Sequence, residues 1–391
     1  EGLYGTREGS FWQDIEQIPA GHSFTLKNNR LEHSEWYSLP ERVGDEEDQR
    51  PLNDVLEEYY SLLKDSLSLR FRADVPVGVN LSGGLDSSTL LGMIHASQGH
   101  ESDVRAFTFY TNDDRYDELP WVQEMLEQTQ HPLERCLLKA EDIPRLAAEI
   151  QNAQDEPFGG LPTLAYAQVF KQARERGTLV LLDGQGMDEQ WAGYDYYQKA
   201  LKGDGPVSVV QGTKSSPLRT NCVQDALLKL SKKDIIPTPF TDKVRNLQYR
   251  DLFYSKLPRA LRFNDRVSMW SSVELREPFL DHRLVELAFK QSTRRKIVGN
   301  VGKAPLRTLA KDLVPGKIVE APKRPLQTPQ REWLSGVLRP WVEDCLSMAK
   351  NTGWLKNEEI DREWESYLRG ESDNSFYLWQ WISVALILGE K

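Results

Sequence analysis

The alternation of short apolar runs with amphipathic stretches across residues 51–184 constrains the fold of this chain more than any other feature of its sequence. Apolar residues recur at helical spacing from position 52 to position 63, and strand-like runs then alternate with further helical patterns. Strands joined through helices make right-handed crossovers and form parallel sheets. The pattern predicts an α/β fold with a doubly wound parallel sheet, whose strands are expected at 75–81, 104–110, 133–138 and 178–184.

The two ends of the chain differ from this central part. Alternating runs on either side of Asn28 and Asn29 predict a β-hairpin, which cannot be a stable domain alone. A polar, acidic connector follows at 41–50, and beyond residue 220 almost every pattern is helical. We therefore predict a sheet domain with a largely helical C-terminal extension, preceded by a hairpin that packs on something else.

Composition limits the partners. The 391 residues carry a formal charge of −10, whereas a nucleic-acid partner needs a basic face. The longest nearly apolar run, 376–388, is too short to span a bilayer. Three widely spaced cysteines suit a reducing compartment. We expect no nucleic-acid or membrane partner and a cytoplasmic location. Because residue 1 is Glu, we also expect a processed product or a fragment.

A loop rich in glycine and serine interrupts the first strand run, in the segment VGVNLSGGLDSSTL at 77–90. Adjacent glycines let backbone N–H groups approach an anion closely, since no Cβ intervenes. The loop also opens a helix, whose free N–H groups and dipole favour phosphate. The candidate nucleotide-binding residues here are Leu81, Ser82, Gly83, Gly84, Asp86, Ser87 and Ser88.

Asp86 has the wrong charge for a phosphate site unless a cation lies between the two. Mg²⁺ is commonly held by one or two carboxylates together with phosphate oxygens. The loop contains neither the P-loop lysine motif nor GxGxxG. The alternative is a serine- and glycine-rich helix cap in which Asp86 is an ordinary helix-start residue. The residues alone therefore indicate phosphate chemistry and leave the reaction open.

The segment SGGLDSS resembles the pyrophosphate loop of the ATP-pyrophosphatase group, in particular the synthetase domain of asparagine synthetases and of β-lactam synthetase. Such enzymes adenylate a carboxylate, release pyrophosphate, and let an amine displace AMP. The resemblance implies ATP and Mg²⁺ as cofactors. Further matches follow in the family's order: AFTFY…YDE (106–118), DEP (155–157), VLLDGQGMDEQWAGY (180–194), NDRVSMWSSVELREPFLDHRLVELA (264–288) and GKAPLRTLAKDLVP…APKRPLQTP (302–329).

The resemblance also implies roles for individual residues. Asp86 and Asp188 would hold Mg²⁺ against the β- and γ-phosphates; the alternative for Asp188 is helix-start charge. Lys323 matches the catalytic lysine, and a cation there would stabilise charge that develops at the α-phosphate. Glu274 would face the acceptor, with a structural ion-pair network as the alternative for its segment. Lys303 would orient ATP phosphates or be structural, and the remaining nucleotide contacts would be Phe109 and Gly184.

Gln185 departs from the family pattern, which has glutamate there to form the acyl-adenylate and to accept a proton from ammonia. A glutamine amide cannot accept that proton at neutral pH. Asp183 stands where the pattern has serine, and in an extended segment residues two apart point to the same side. We hypothesise that Asp183 partly replaces the missing acid. The alternative is that Gln185 marks a different substrate or an inactive enzyme.

Residues 1–41 resemble only the last strands of the family's glutaminase domain, and 42–391 its synthetase domain. None of the cysteines is N-terminal, so we expect no glutamine hydrolysis by this chain. Ammonia would come free from solution or from the missing glutaminase domain or a separate glutaminase, against which the hairpin would pack.

Three functions remain open. The first is an asparagine synthetase-like ligase with aspartate as the default acceptor. The second is the same chemistry on another carboxylate, such as a sugar uronate or another amino acid, which Gln185 and an insert at 207–223 favour. The third is a non-catalytic nucleotide-binding homologue.

Overall fold

The computed structural model describes residues 9–99, 101–203, 218–231, 235–324, 328–372 and 374–389. The strands are β1 (His22–Lys27), β2 (Arg30–Glu35), β3 (Val77–Asn80), β4 (Arg105–Tyr110), β5 (Leu133–Leu137), β6 (Val180–Leu182) and β7 (Glu274–Arg276). The helices before β7 are α1 (Leu39–Val43), α2 (Leu52–Arg70), α3 (Leu85–Gln98), α4 (Leu119–Thr129), α5 (Ile143–Gln154), α6 (Leu161–Glu175), α7 (Met187–Gln190), α8 (Asp195–Lys202), α9 (Asp225–Leu230), α10 (Lys243–Phe253) and α11 (Lys256–Trp270). Those after it are α12 (His282–Phe289), α13 (Thr293–Lys296), α14 (Ala304–Ala310), α15 (Gly316–Glu320), α16 (Gln330–Ser335), α17 (Arg339–Lys350), α18 (Asn357–Leu368) and α19 (Phe376–Leu388). Short 3₁₀ helices lie at Ala140–Asp142, Thr220–Cys222 and Pro278–Leu280.

Five strands form one parallel sheet in the order β5-β4-β3-β6-β7. The chain runs outward from β3 through β4 to β5 on one side, and from β6 to β7 on the other. The strand order therefore reverses between β3 and β6. In open α/β sheets, ligands bind in the crevice outside the carboxyl ends of the strands at such a reversal.

Each face of the sheet carries its own hydrophobic core, because successive residues of a strand point to opposite faces. Ala106 and Leu182 lie in a core with residues of α2, α3, α4, α12, α14 and α15. Their sequence neighbours Phe107 and Leu181 lie in a second core, with α5, α6, α11 and the C-terminal helices α16–α19. Among the described helices, none is both long and apolar enough to cross a membrane.

The doubly wound parallel sheet and the helical C-terminal extension are confirmed, and all four predicted runs contain strands. One strand lies outside the predicted runs: within the largely helical part beyond residue 220, β7 pairs with β6 at the edge of the sheet. β7 has only three residues, Glu274–Arg276, and two of them are charged. No apolar alternation marks so short a strand in the sequence.

The predicted hairpin is also present. β1 and β2 pair antiparallel, and Asn28 and Asn29 have positive φ in the turn between them, as a two-residue hairpin turn requires. Nearly every residue of both strands is exposed, including the apolar side chains of Phe24, Leu26 and Leu31. Of the insert at 207–223, residues 207–217 lie outside the described residues.

Candidate active site

Two loops leave the carboxyl ends of β3 and β6 and meet over the centre of the sheet. The first, 81–84, leads into α3, and the second, 183–186, leads into α7. A Cβ built on Gly184 would lie 3.1 Å from the backbone N of Ser87 and 3.3 Å from the backbone C of Asp86. The absence of a side chain at 184 therefore lets the second loop pack against the first turn of α3.

Glycine at position 83 is required by the conformation of the first loop. Its φ is +67°, and a Cβ there would lie 2.6 Å from Trp121 Cβ and 2.8 Å from the backbone N of Val122. Gly84 is different, because a Cβ there would meet only Ser82 Oγ, at 3.3 Å. Gly84 is the N-cap of the 14-residue helix α3. The loop thus brings a helix N-terminus to the crevice, an arrangement that favours anions.

Asp86 and Asp188 converge on one ammonium group. Lys303 Nζ lies 2.7 and 2.6 Å from the two carboxylate oxygens of Asp86 and 2.6 Å from Asp188 Oδ1. Lys323 Nζ lies 2.7 Å from the other oxygen of Asp188. The structure therefore brings together all four charged residues for which the resemblance implied phosphate or metal chemistry.

The backbone holds this cluster in place. Lys303 is the N-cap of α14 with a left-handed φ of +58°, and its backbone N–H donates to Trp191 O at 2.9 Å. Gly193 N–H donates to Asp188 O at 2.9 Å. A Cβ on Gly193 would collide with both Asp188 Oδ1 and Lys303 Cε. Glycine at 193 is thus needed for the lysine and the carboxylate to meet.

Burial and charge act differently on the two aspartates. Burial raises the pKa of Asp86, and the Lys303 ammonium offsets this only in part. Burial also acts to raise the pKa of Asp188, but the ammonium groups of Lys303 and Lys323 together outweigh it and hold that pKa well below its ordinary value. Burial would lower the pKa of Lys323, yet Asp188 and Asp86 raise it. Asp188 therefore stays ionised and Lys323 stays protonated.

The donor set fits a divalent cation that is shared with phosphate. Asp188 Oδ1 is buried, and its partner among the described residues is the Lys303 ammonium group at 2.6 Å, a cation at the position that a divalent ion would share. The described residues contain no group of three or more histidine, cysteine or acidic side chains able to hold a metal by themselves. Two carboxylates with phosphate oxygens are the usual protein ligands of Mg²⁺ at such sites.

A pocket opens beside the first loop at the same edge of the sheet. It has about 460 Å³ of empty volume, including space open to solvent. About half of its lining residues are aromatic or apolar, and its polar side chains come from the ends of β3 and β6, from β4 and from the start of α4. The lining residues are Asn80, Leu81, Ser82, Phe107, Thr108, Phe109, Tyr116, Glu118, Tyr166, Val169 and Asp183. A few polar groups among aromatic walls are typical of small-molecule sites.

Five of the predicted nucleotide contacts lie in or beside the first loop, three in the pocket wall and two in the first turn of α3. Leu81, Ser82 and Phe109 line the pocket. Ser87 and Ser88 are buried in the first turn of α3; Ser87 Oγ lies 3.1 Å from Ser82 Oγ, and Ser88 Oγ has no partner within the described residues.

Asp183 and Gln185 follow β6 at the pocket. Asp183 is 5% exposed, and its Oδ1 accepts from the backbone N–H of Gly184 at 2.7 Å. Burial raises the pKa of Asp183 to about 6 against the opposing Gly184 hydrogen bond. The backbone N–H of Gln185 donates to Glu277 Oε2 at 3.3 Å. A carboxylate of intermediate proton affinity therefore remains in this loop although position 185 has none.

The fold places Glu274 away from the cluster that Asp86, Asp188, Lys303 and Lys323 form. It begins β7 opposite Val180, the first residue of β6, and so lies at the amino end of the strands. Its side chain is 58% exposed and pairs with Arg276 at 2.8 Å. This geometry favours the ion-pair alternative for Glu274, and its contact with an acceptor stays a prediction.

Two residues of the site, Arg324 and Glu118, were not predicted from the sequence. Arg324, the neighbour of Lys323 in the sequence, is half-buried: its guanidinium lies 3.9 Å from the Trp121 ring centroid and donates to Gly83 O at 3.1 Å. Glu118 lines the pocket, and burial raises its pKa to about 7 against the opposing charges of Arg324 and Lys323. Nothing local in the sequence relates these residues, because Arg324 and Gly83 are 241 positions apart.

Comparison with known proteins agrees with this geometry. Residues 58–389 match the asparagine synthase family. "Asparagine synthetase [glutamine-hydrolyzing] 1" of Bacillus subtilis (strain 168) is 23% identical over 409 residues, which cover 93% of this chain and 63% of that protein. A putative asparagine synthetase [glutamine-hydrolyzing] 2 of Methanocaldococcus jannaschii is 33% identical over 176 residues, or 44% of this chain and 32% of that protein.

The first curated relatives are longer than this chain, which spans between 56 and 63% of their length. Among solved structures, a U34-tRNA thiolase from Methanococcus maripaludis aligns with 70% of this chain and 89% of its own, at 14% identity and a TM-score of 0.28. An NH3-dependent NAD synthetase from Campylobacter jejuni aligns with 37% of this chain and 61% of its own, at 14% identity and a TM-score of 0.25. These structural similarities are weak, and the fold is assigned from the strand order.

Proposed function

The chain belongs to the asparagine synthase family, whose members are synthetase-type enzymes, and on that premise we propose that it is an ATP-dependent amide-forming ligase. It adenylates a carboxylate with release of pyrophosphate, and ammonia then displaces AMP to give the amide. The observation that carries the proposal is the convergence of Asp86, Asp188, Lys303 and Lys323 at the point where the strand order reverses.

Each part of the site has a role in the proposed reaction. The amides at the start of α3 bind the pyrophosphate portion of ATP, and the aromatic pocket beside them holds the nucleoside. Asp86 and Asp188 would hold Mg²⁺, which when bound neutralises charge on the phosphates. Lys323 is a permanent cation that stabilises charge developing at the α-phosphate as the carboxylate attacks. Lys303 orients the two aspartates.

The default acceptor in this proposal is aspartate, which would give asparagine. Another carboxylate, such as a sugar uronate or another amino acid, is the second candidate, because Gln185 lies where the family has glutamate. A non-catalytic nucleotide-binding homologue is less well supported, because a buried carboxylate is costly to retain without use and Asp188 remains buried between Lys303 and Lys323.

The nitrogen source is proposed to be ammonia, free or delivered by a glutaminase domain or partner. The exposed apolar side chains of the hairpin support a docking partner on that side. We propose the reducing interior of the cell as the site of action.

The test is pyrophosphate release from Mg·ATP, with and without ammonium, across a panel of carboxylates led by aspartate. Asp188→Asn should lower the rate at least about 100-fold, because it removes half of the carboxylate pair. Asp195→Asn is the matched control, since the Asp195 side chain is 43% exposed and pairs with Lys199 at the surface. Its rate should equal that of the wild type.

Release that depends on aspartate and ammonium would establish the default acceptor, and release with another carboxylate would identify that compound. ATP binding without release for any carboxylate would overturn the ligase proposal in favour of the non-catalytic homologue.

A further inference from the structure

Three polar residues, two of them buried and one half-buried, follow one another across the carboxyl edge of the sheet. Val79 pairs with Leu182, and Leu182 pairs with Arg276. One residue further along each strand, the same register aligns Asn80, Asp183 and Glu277. These three residues are called the polar row below. Residues that share a register position in a parallel sheet point to the same face.

Every member of the polar row carries a buried polar atom with no hydrogen-bond partner among the described residues. These atoms are Asn80 Oδ1 and Nδ2, Asp183 Oδ2 and Glu277 Oε1. The Asn80 side chain and the Asp183 side chain belong to residues only 6 and 5% exposed, and both line the pocket. Unsatisfied buried polar groups are costly, and those of Asn80 and Asp183 at the pocket indicate groups that pair with a bound molecule. Glu277 lies next to them in the row and contacts the backbone of Gln185.

The remaining oxygens of the two acids are occupied by backbone. Asp183 Oδ1 accepts from Gly184 N–H and Glu277 Oε2 accepts from Gln185 N–H. Both carboxylates are thus held against the loop that contains position 185. The unsatisfied oxygens are hydrogen-bond acceptors when ionised, so the molecule they suit is a donor with several N–H groups.

We propose that Glu277, supported by Asp183, accepts the proton of the ammonia nucleophile, in place of a glutamate at position 185. This inference rests on the proposed function. Ammonia forms a C–N bond with the carbonyl carbon of the acyl-adenylate, and the C–O bond to phosphate then breaks, so that AMP leaves with the electron pair. The extra proton on nitrogen passes to the Glu277 carboxylate, which later releases it to solvent.

The electrostatic setting supports this role. Burial, reinforced by the neighbouring Asp183 charge, raises the pKa of Glu277 well above its ordinary value. A carboxylate with a raised proton affinity is, once ionised, a stronger base than an ordinary glutamate. Gln185 is consistent with this arrangement, since a third carboxylate beside Asp183 and Glu277 would add repulsion.

The first experiment separates the two half-reactions. ATP–pyrophosphate exchange with the accepted carboxylate reports adenylation, and amide formation from ammonium reports the whole reaction. For Glu277→Gln we expect exchange within about 3-fold of wild type and amide formation lower by about 100-fold. Glu134→Gln is the control, since Glu134 is an acid of β5 that pairs with Arg105 and Arg176. It should leave both half-reactions unchanged.

The second experiment places a carboxylate at position 185 and removes the one at position 277. In the double variant Gln185→Glu/Glu277→Gln we expect amide formation to recover at least about 10-fold over Glu277→Gln alone. Hydroxylamine, a nucleophile that is largely neutral at pH 7, should also restore product formation to Glu277→Gln. A purely structural role of Glu277 would give neither effect.

The outcomes are distinguishable from failure of the proposed function. If the wild-type chain shows no exchange with any carboxylate, the proposed function itself fails. If the wild type is active and Glu277→Gln forms amide at the wild-type rate, the inference about Glu277 is overturned while the ligase proposal stands. Equal losses of exchange and amide formation, without rescue by Gln185→Glu or by hydroxylamine, would also overturn it.

Discussion

Lys303 and Asp188 approach to 2.6 Å between Nζ and Oδ1, and the same ammonium group contacts both oxygens of Asp86. The two carboxylates proposed as metal ligands are thus neutralised by a lysine from a segment more than 100 residues later in the chain. The lysine offsets the repulsion that two buried carboxylates would otherwise exert on each other.

If Asp86 and Asp188 bind Mg²⁺, replacing Lys303 should make the folded protein more responsive to Mg²⁺. We expect Lys303→Met to lower the free energy of unfolding by about 3–5 kcal/mol, because it leaves two buried carboxylates without their shared cation. Mg²⁺ without nucleotide should recover part of that loss in the variant and change the wild type little, as measured by thermal unfolding with and without MgCl₂. Lys199→Met, which removes an exposed surface pair, is the control. An equal response of variant and wild type to Mg²⁺ would argue against a metal role for Asp86 and Asp188.

Alanine should have different effects at the two glycine positions of the first loop, lowering stability at one and ATP affinity at the other. Gly83→Ala forces a Cβ against Trp121 and Val122 at positive φ, so we expect a loss of about 1–3 kcal/mol of folding stability. Gly84→Ala places its Cβ near Ser82 Oγ alone, so stability should change by less than about 1 kcal/mol. Its ATP affinity should nonetheless fall, because the methyl group stands where phosphate approaches the backbone. Chemical denaturation and ATP titration measure the two effects, and a Gly84→Ala variant that binds ATP normally would contradict the phosphate assignment.

The buried Asp183 should make the protein less stable at neutral pH. Its pKa is raised from 3.8 to about 6 on folding, so in the folded state the carboxyl holds its proton over a range where the unfolded chain has lost it. Stability from this group is complete below pH 3.8 and is lost as the pH rises through about 6. Asp183→Asn, which keeps the oxygen that accepts from Gly184 N–H, should therefore be more stable than wild type at pH 8 by up to about 3 kcal/mol and equal to it at pH 3.

Denaturant unfolding at several pH values tests this expectation. A constant difference between Asp183→Asn and wild type from pH 3 to pH 8 would show that the carboxyl does not change its proton affinity on folding.

Local patterns predicted much of this site. Each loop consists of an apolar strand, a short run of glycine and polar residues, and a helix start, and those signals lie within about 15 consecutive residues. The alternation of strands and helices then placed both loops at one edge of a parallel sheet. The resemblance to the family implied that Asp86 and Asp188 pair there. The crevice between β3 and β6 could be predicted in this way.

What escaped prediction depends on contacts between distant segments. β7 has three residues, and its place beside β6 is fixed by pairing rather than by its own sequence pattern. Without that strand, Glu277 has no register and cannot be aligned with Asp183. Arg324 was missed for a similar reason, since its stacking on Trp121 depends on packing that no local spacing encodes.

The backbone hydrogen bond from Lys303 N–H to Trp191 O ties the lysine to the segment that also carries Asp188. Cation and carboxylate therefore share one rigid frame, and only the four-carbon side chain of the lysine is free to reorient. Rotation of the Lys303 side chain alone would therefore release both carboxylates for a divalent cation, with the backbone of this segment unchanged.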